Sequence, residues 1–368
     1  MGFIKVIEDY EDFDFYNYFD GLREEDILFS IKKTKKTVKD FLNMLSPKAI
    51  KYLEIMAQEG KKLTEKHFGN TVMLYMPLYI SNYCTNECVY CGFNKKNHIK
   101  RKHLNFDEIE LEAREIAKTG VKHILLLTGE AEGLVDFDYI KKAVIILKKY
   151  FASISIEIYP LKTEEYAELL DLGVSGLTIY QETYDKELYE EVHLSGKKRD
   201  YLWRLNTPER GAQARLNSIT IGALFGLGDI YREAFFSGLH AHYLQNNYLE
   251  SDISLSLPRM NKAEGAIETV NHLDDKTFVQ FLLAFRLFMP KIGLNLSTRE
   301  KQEFRDKVLP LGITKFSAGS KTGVGAYTSE DKSTDQFEIS DKRSVEEIVK
   351  ALKSYGKDII FKDWELIV

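Results

Sequence analysis

The apolar pattern of this chain changes rhythm near residue 70. Before it, apolar residues recur three and four apart, as in "LREEDILFSIKKTKKTVKDFLNMLS" and "PKAIKYLEIMAQEG", which predicts amphipathic helices. "SPKA" reads as a helix start, with Ser46 as N-cap and Pro47 in the first turn. From there nearly to the end, short β-branched apolar runs alternate with helical stretches. The predicted strands are 71–80, 122–128, 153–159, 174–180, 218–225, 252–258, 292–297 and 312–318. Patterns such as "NFDEIELEAREIAKTG" and "DDKTFVQFLLAFRLFMP" predict the helices between them. Strands separated by helices imply a parallel sheet, and eight of them close a TIM-type (β/α)8 barrel, an α/β fold. "SVEEIVKALKSYGKDIIFKDW" predicts one more helix and a short strand at the barrel's rim. The expected organisation is a helical N-terminal extension (1–70), the barrel (71–320) and a C-terminal extension packed on it (321–368).

The unusual polar residues sit just past the ends of the apolar runs: Thr128-Gly129-Glu130, Gln181-Glu182-Thr183, Gly226 to Asp229, Arg259, Ser297 to Arg299, and Ser317 to Lys321. In a barrel these ends converge on one mouth, where active sites are built. Alternation along "SISIEIY" puts Ser153, Ser155, Glu157 and Tyr159 on one face, toward the lumen. A charge at Glu157 is unfavourable to bury without a partner. Each of these residues also has a plain structural reading. Gly129 suits a turn, Glu130 a helix start, and Arg204 a surface helix. Ser297 or Thr298 suits an N-cap, with Glu300 in the first turn.

Composition narrows the function classes. A net charge of −5 weighs against a nucleic-acid partner. No apolar run approaches the ~20 residues needed to span a bilayer. The N-terminus lacks the charged and apolar regions of a secretory signal, and Val6 breaks the myristoylation pattern. The basic run "KKNHIKRKH" (95–103) and the charged N-terminal helices read as solvated faces. All three cysteines lie within residues 84–91, a spacing that does not suit a disulfide framework, so the chain is expected in a reducing cytoplasm.

Cys84-x3-Cys88-x2-Cys91 follows the first predicted strand. Three thiolates on one short loop suit a soft metal centre. One reading is a structural zinc site with His98 or His103 as fourth ligand, although such sites usually come as two spaced ligand pairs. A redox pair in "CVYC" is another, but leaves Cys84 unexplained. The third is a [4Fe–4S] cluster on three protein ligands rather than the usual four, leaving one iron open to an amine and a carboxylate.

This spacing, with the aromatic Tyr90 before the last cysteine, resembles the radical S-adenosylmethionine (SAM) superfamily. "PLYISNYCTNECVYCGFNKKN" resembles its aromatic amino acid lyases, closest to the tyrosine lyases (2-iminoacetate synthases) of thiamine thiazole biosynthesis. Further strings share the resemblance in order: "LLTGE", "YQETY", "HLSGKK", "WRLNTPER", "GALFGLGD", "LSTRE", "SAGSKT" and "KDW", covering roughly residues 70–365. The resemblance implies Cys84, Cys88 and Cys91 as cluster ligands. It implies SAM contacts at Tyr90, at Gly129 and Glu130 (with Thr128 where the superfamily usually has glycine), at Glu157 and Glu182, at Arg204 for the SAM carboxylate, and at Gly222 for the adenosine. It implies L-tyrosine as substrate, its carboxylate on Arg299 beside Ser297, with Arg259 as a second candidate. Leu257 stands where the family usually has an aromatic.

The implied reaction uses a 5′-deoxyadenosyl radical to abstract a hydrogen from the substrate amine. Cα–Cβ cleavage to 2-iminoacetate (dehydroglycine) and p-cresol follows. No residue is assigned to proton transfer. The implied partners are thiazole synthase and a low-potential donor, flavodoxin or ferredoxin, drawn to the basic run. The tyrosine lyase of iron-hydrogenase maturation is similar across the barrel but carries a C-terminal cysteine cluster, and no cysteine follows Cys91 here. Tryptophan lyase shares the site logic, but "WRLNTPER" and "KDW" fit the thiamine enzyme better. A non-catalytic zinc or iron–sulfur module is the alternative from another class.

Overall fold

The computed structural model describes residues 2–361, so "KDW" at 362–364 lies outside the described residues. The eight predicted strands form: β1 (Thr71–Ser81), β2 (His123–Thr128), β3 (Ser153–Glu157), β4 (Val174–Thr178), β5 (Ser218–Ile221), β6 (Asp252–Ser256), β7 (Gly293–Leu296) and β8 (Lys315–Ser317). All pair in parallel in sequence order. β1 closes the ring against both β8 (Leu74 opposite Phe316) and β2 (Leu78 opposite Leu126). A ninth strand, β9 (Asp358–Ile360), follows the helix Val345–Ser354 and pairs with the start of β1.

β3 to β7 stop before the apolar runs that predicted them, because those runs continue into the loops at the barrel mouth; β8 is trimmed at both ends, whereas β1 and β2 match their runs to within a residue. β3 ends at Glu157, which corrects the expectation for Tyr159. The Tyr159 hydroxyl lies beyond the strand and donates to the Val135 carbonyl at 2.9 Å. Ser153 and Ser155 hydrogen-bond the two ring nitrogens of His123 at 2.9 and 3.1 Å, while Ile154 and Ile156 are buried in the hydrophobic core.

The N-terminal helices are not solvated faces alone. Most of their charges point outward, although Asp40 is buried against Ser30 and Lys33, and Phe3, Phe15, Phe19 and Phe41 belong to the same core as the barrel helices. Phe41 stacks on Phe288 at 4.6 Å between centroids, and Phe15 meets Phe235 edge-on at 5.3 Å. Ser46 precedes Pro47 as expected, but its hydroxyl donates back to the Asn43 carbonyl at 2.8 Å rather than capping the next turn.

After β8 the chain crosses the barrel mouth before reaching its last helix. Backbone bonds from Thr334 to Lys100, Glu338 to Lys262 and Ser340 to Thr298 tie this strap to three loops of the mouth. Asp341, fully buried, pairs with the equally buried Arg305 beneath it.

Candidate active site

The cysteine loop hangs from the end of β1 and is shaped from within. Asn82 is buried; its amide donates to the Lys100 carbonyl at 3.0 Å and accepts from the Lys102 N–H at 2.7 Å. The Arg101 guanidinium donates to the carbonyls of Asn82, Phe93 and Asn94 at 2.6 to 2.8 Å. Arg101 therefore clamps the loop, and the basic run is not simply a solvated face.

Cys84, Cys88 and Cys91 all face one cavity at the mouth, with about 1180 Å³ of free space counted out to its opening. Burial pushes the Cys84 thiol up to about 11 and raises the other two. Protein groups alone do not stabilise these thiolates, whereas a bound metal centre does so outright. Three soft donors around a roomy cavity therefore fit a multi-iron cluster, with Cys84, Cys88 and Cys91 as the residues that would hold it.

The loop after β2 locks against the cysteine loop. A Cβ at Gly129 would lie 2.2 Å from the Tyr83 carbonyl oxygen, so only glycine allows this approach. The Glu130 carbonyl accepts from the Thr85 N–H at 2.9 Å. Its carboxylate accepts from Asn86 at 2.6 Å and from Arg204 at 3.1 Å. Arg204 is buried, not a surface helix residue, and its Nε donates to the Tyr180 carbonyl at 2.7 Å.

Glu182 has a φ of +71°, a left-handed conformation rare for such a residue, and its side chain lines the cavity. Lys198 lies 2.7 Å and Arg204 3.6 Å from its carboxylate. Burial alone would raise Glu182, but these two cations outweigh it and hold it below the usual carboxylate range. Glu157 has no hydrogen bond or ion pair among the described residues, and burial with the nearby Glu182 charge pushes it up to about 7.

The Tyr90 hydroxyl meets His193 Nε2 at 2.7 Å, and His193 Nδ1 lies 2.8 Å from the Tyr189 carbonyl. A carbonyl only accepts, so Nδ1 carries the proton and the neutral ring accepts from Tyr90 at Nε2. Burial drops His193 to about 3, which keeps it neutral.

Across the cavity, the Arg299 guanidinium carbon lies over the Phe337 ring, 3.4 Å from its centroid, and no ion pair to a carboxylate forms among the described residues. Ser297 beside it accepts from the Arg299 N–H at 3.4 Å. Neither Ser297 nor Thr298 caps a helix, because the next one starts at Gln302 with Lys301 as N-cap.

Two expected residues lie outside this cavity. Arg259 is held by Glu300 and Asp275 and stacks on Phe304 in a neighbouring pocket, so its charge is already matched. Gly222 packs against β6, where a Cβ would meet the Ser256 carbonyl at 2.1 Å; its missing side chain serves strand packing. Sequence reasoning missed Lys198, Asn86, Gln336 and Phe337, all of which line the cavity. Lys198 and Asn86 sit in strings that carried the resemblance. Gln336 and Phe337 come from the strap, where no periodicity marks them.

This barrel and its three-cysteine loop define the class. Residues 78–236 match the radical SAM superfamily, whose members use a [4Fe–4S] cluster and SAM, and residues 256–358 match the Biotin and Thiamin Synthesis associated domain. The chain is 43% identical to the 2-iminoacetate synthase of Salmonella typhimurium, covering 89% of this chain and 87% of that protein. It is 42% identical to that of Escherichia coli, over 94% and 92%. The chain belongs to the radical SAM 2-iminoacetate synthase family. The crystal structure of the [FeFe]-hydrogenase maturase HydG from Carboxydothermus hydrogenoformans superposes with a TM-score of 0.89 at 31% identity, covering 98% of this chain and 85% of that one. Methylornithine synthase shares the fold, with a TM-score of 0.73 at 23% identity, over 91% and 97% of the two chains.

Proposed function

We propose that this chain is a 2-iminoacetate synthase that cleaves the Cα–Cβ bond of L-tyrosine to 2-iminoacetate and p-cresol for thiamine biosynthesis. The observation that carries the substrate is Arg299, an unmatched cation in the same cavity as the three cysteines. When bound, the cluster and SAM supply a 5′-deoxyadenosyl radical, methionine being the other fragment. The chain's own residues bind and orient. Lys198 and Arg204 offer donors to a carboxylate, and Glu130 and Glu182 offer acceptors to an ammonium, which suits the amino-acid end of SAM. Arg299 holds the tyrosine carboxylate, and its stacking on Phe337 fixes the plane of the fork. Leu125, Leu127, Leu224 and Phe337 give the cavity apolar walls that limit water around the reacting atoms.

The imine product hydrolyses readily, which favours direct use by a partner such as thiazole synthase. A low-potential donor, flavodoxin or ferredoxin, fits the exposed Lys96 and Lys100 near the cysteine loop. No helix among the described residues is long and apolar enough to cross a membrane, and we place the reaction in the cytoplasm.

The test is anaerobic reconstitution with iron and sulfide, followed by dithionite, SAM and L-tyrosine. Deoxyadenosine, p-cresol and glyoxylate without cyanide are expected. Deoxyadenosine without p-cresol would move the substrate away from tyrosine. No iron–sulfur absorbance and no deoxyadenosine would overturn the reading.

A further inference from the structure

Of the three sulfurs, only that of Cys91 meets a side-chain donor among the described residues. The Gln336 amide nitrogen lies 3.9 Å from Cys91 Sγ. Backbone N–H groups of Asn86 and Glu130 serve Cys84, and that of Phe93 serves Cys91. The Gln336 contact is long, but its direction is fixed from the other end. The Tyr79 hydroxyl donates to Gln336 Oε1 at 2.8 Å, which turns the NH2 end of the amide toward the sulfur.

The backbone holds residue 336 in place as well. Its N–H donates to the Thr322 carbonyl at 3.2 Å. Its own carbonyl oxygen packs so closely on the cysteine loop that a Cβ at Gly92 would come within 2.4 Å. One glutamine thus links β1, the strap and the last cysteine.

We infer that Gln336 is a positioning residue that raises the reduction potential of the cluster on Cys84, Cys88 and Cys91 by donating an N–H to the Cys91 sulfur. The inference rests on the cluster reading above. An N–H donated to a ligand sulfur withdraws charge and favours the more negative, reduced cluster. The step is one electron from a low-potential donor into the oxidised cluster, with no bond made or broken. The neutral amide supplies this polarity where a lysine would add charge and a leucine would supply nothing.

The test compares wild type with Gln336→Leu, Gln336→Glu and Tyr79→Phe, each reconstituted anaerobically and titrated by EPR without SAM. Gln336→Leu is expected to show about a tenfold lower ratio of reduced to oxidised cluster at a fixed solution potential, equivalent to about 59 mV for one electron. Gln336→Glu, with a carboxylate in place of the donor, shifts further. Tyr79→Phe shifts less, because the amide loses only its anchor. A purely structural role would lower cluster occupancy without moving the potential of the clusters that remain, and that outcome overturns the inference. If Gln336→Leu holds no cluster, unshifted potentials in both Gln336→Glu and Tyr79→Phe overturn it equally. A wild-type protein that forms no [4Fe–4S] cluster would instead overturn the cluster reading itself.

Discussion

Arg299 offers the sharpest test of the substrate site. Its guanidinium is preset on Phe337 and lacks an internal counter-ion among the described residues, so a ligand carboxylate would gain two parallel charge-assisted hydrogen bonds. Such bonds contribute about 1.5–3 kcal/mol each, but the cavity is open and water replaces part of what is lost. Arg299→Ala should therefore cost about 3 kcal/mol, roughly a hundredfold in kcat/KM for tyrosine. Arg299→Lys keeps the charge but loses the second bond and the close contact of the guanidinium with the Phe337 ring. It should cost about 1.5–2 kcal/mol, roughly ten- to thirtyfold. The grip is made in ground and transition states alike, so the loss should appear mainly in KM. A loosened substrate also leaves its near-attack geometry, so more deoxyadenosine should form per p-cresol. The assay is anaerobic steady-state release of both products against tyrosine concentration. Arg259→Lys serves as the control, since Glu300 and Asp275 occupy that arginine in the neighbouring pocket. An unchanged tyrosine KM in Arg299→Lys, or an equal rise in Arg259→Lys, would refute the assignment.

Glu157 sets a pH dependence in the cluster-free protein. Its carboxyl is raised from 4.5 to about 7, so between those values the folded state binds the extra proton and stability falls as pH rises. At ~1.4 kcal/mol per unit, discounted by about half for the open cavity, Glu157→Gln should gain about 1–2 kcal/mol at pH 8. A slope from Glu233, also raised to about 7, should remain; identical Tm-versus-pH curves for variant and wild type from pH 5 to 8 would reject this. Gly129→Ala should reduce reconstituted iron severalfold by displacing the cysteine loop, while Gly133→Ala, with nothing within 4 Å of the added Cβ, should not; full occupancy in Gly129→Ala would contradict the packing argument. Charge reversal at Lys95, Lys96 and Lys100 should slow reduction by flavodoxin but not by dithionite, and equal rates with both would sink the proposed docking patch. Arg101 is left out of that set because its reversal would break the loop clamp.

Much of this architecture was legible because barrel strands repeat one signal. Runs such as "KHILLLT" and "DISLSLP" are apolar, β-branched and helix-separated, and each forms at its place. The site was legible where chemistry is local in sequence. Three cysteines in eight residues, and acids just past strand ends, need no long-range information. What failed was long-range. Nothing in "SLPR" reveals that Glu300 and Asp275 claim Arg259, and nothing in the charged N-terminal helices reveals that Phe41 reaches Phe288. Gln336 and Phe337 were invisible because the strap takes its shape from the loops beneath it, not from any period of its own. The ends of strands were misplaced for a related reason. "SISIEIY" keeps alternating after the ladder has stopped, and only the neighbouring strands decide where it stops.

The charges of the cavity divide it into two halves. Glu130, Arg204, Glu182 and Lys198 form one connected chain of ion pairs in which each charge is already matched. Glu157 and Arg299 remain, one acid and one cation, which feel each other's charge but make no ion pair or side-chain hydrogen bond among the described residues. Folding alone gives no reason for that asymmetry, since an unmatched charge in a half-buried position is unfavourable and apolar residues would fill the space better. Glu157 meets the problem by shifting its pKa toward the neutral form, a route closed to a guanidinium. Arg299 has to keep its charge, and Phe337 offers it a ring face but no negative charge. The matched half can hold its shape before anything binds. With Glu157 shifted toward its neutral form, the half around Arg299 is the one that an added anion would complete, which supports placing the proposed substrate carboxylate there rather than at Arg204.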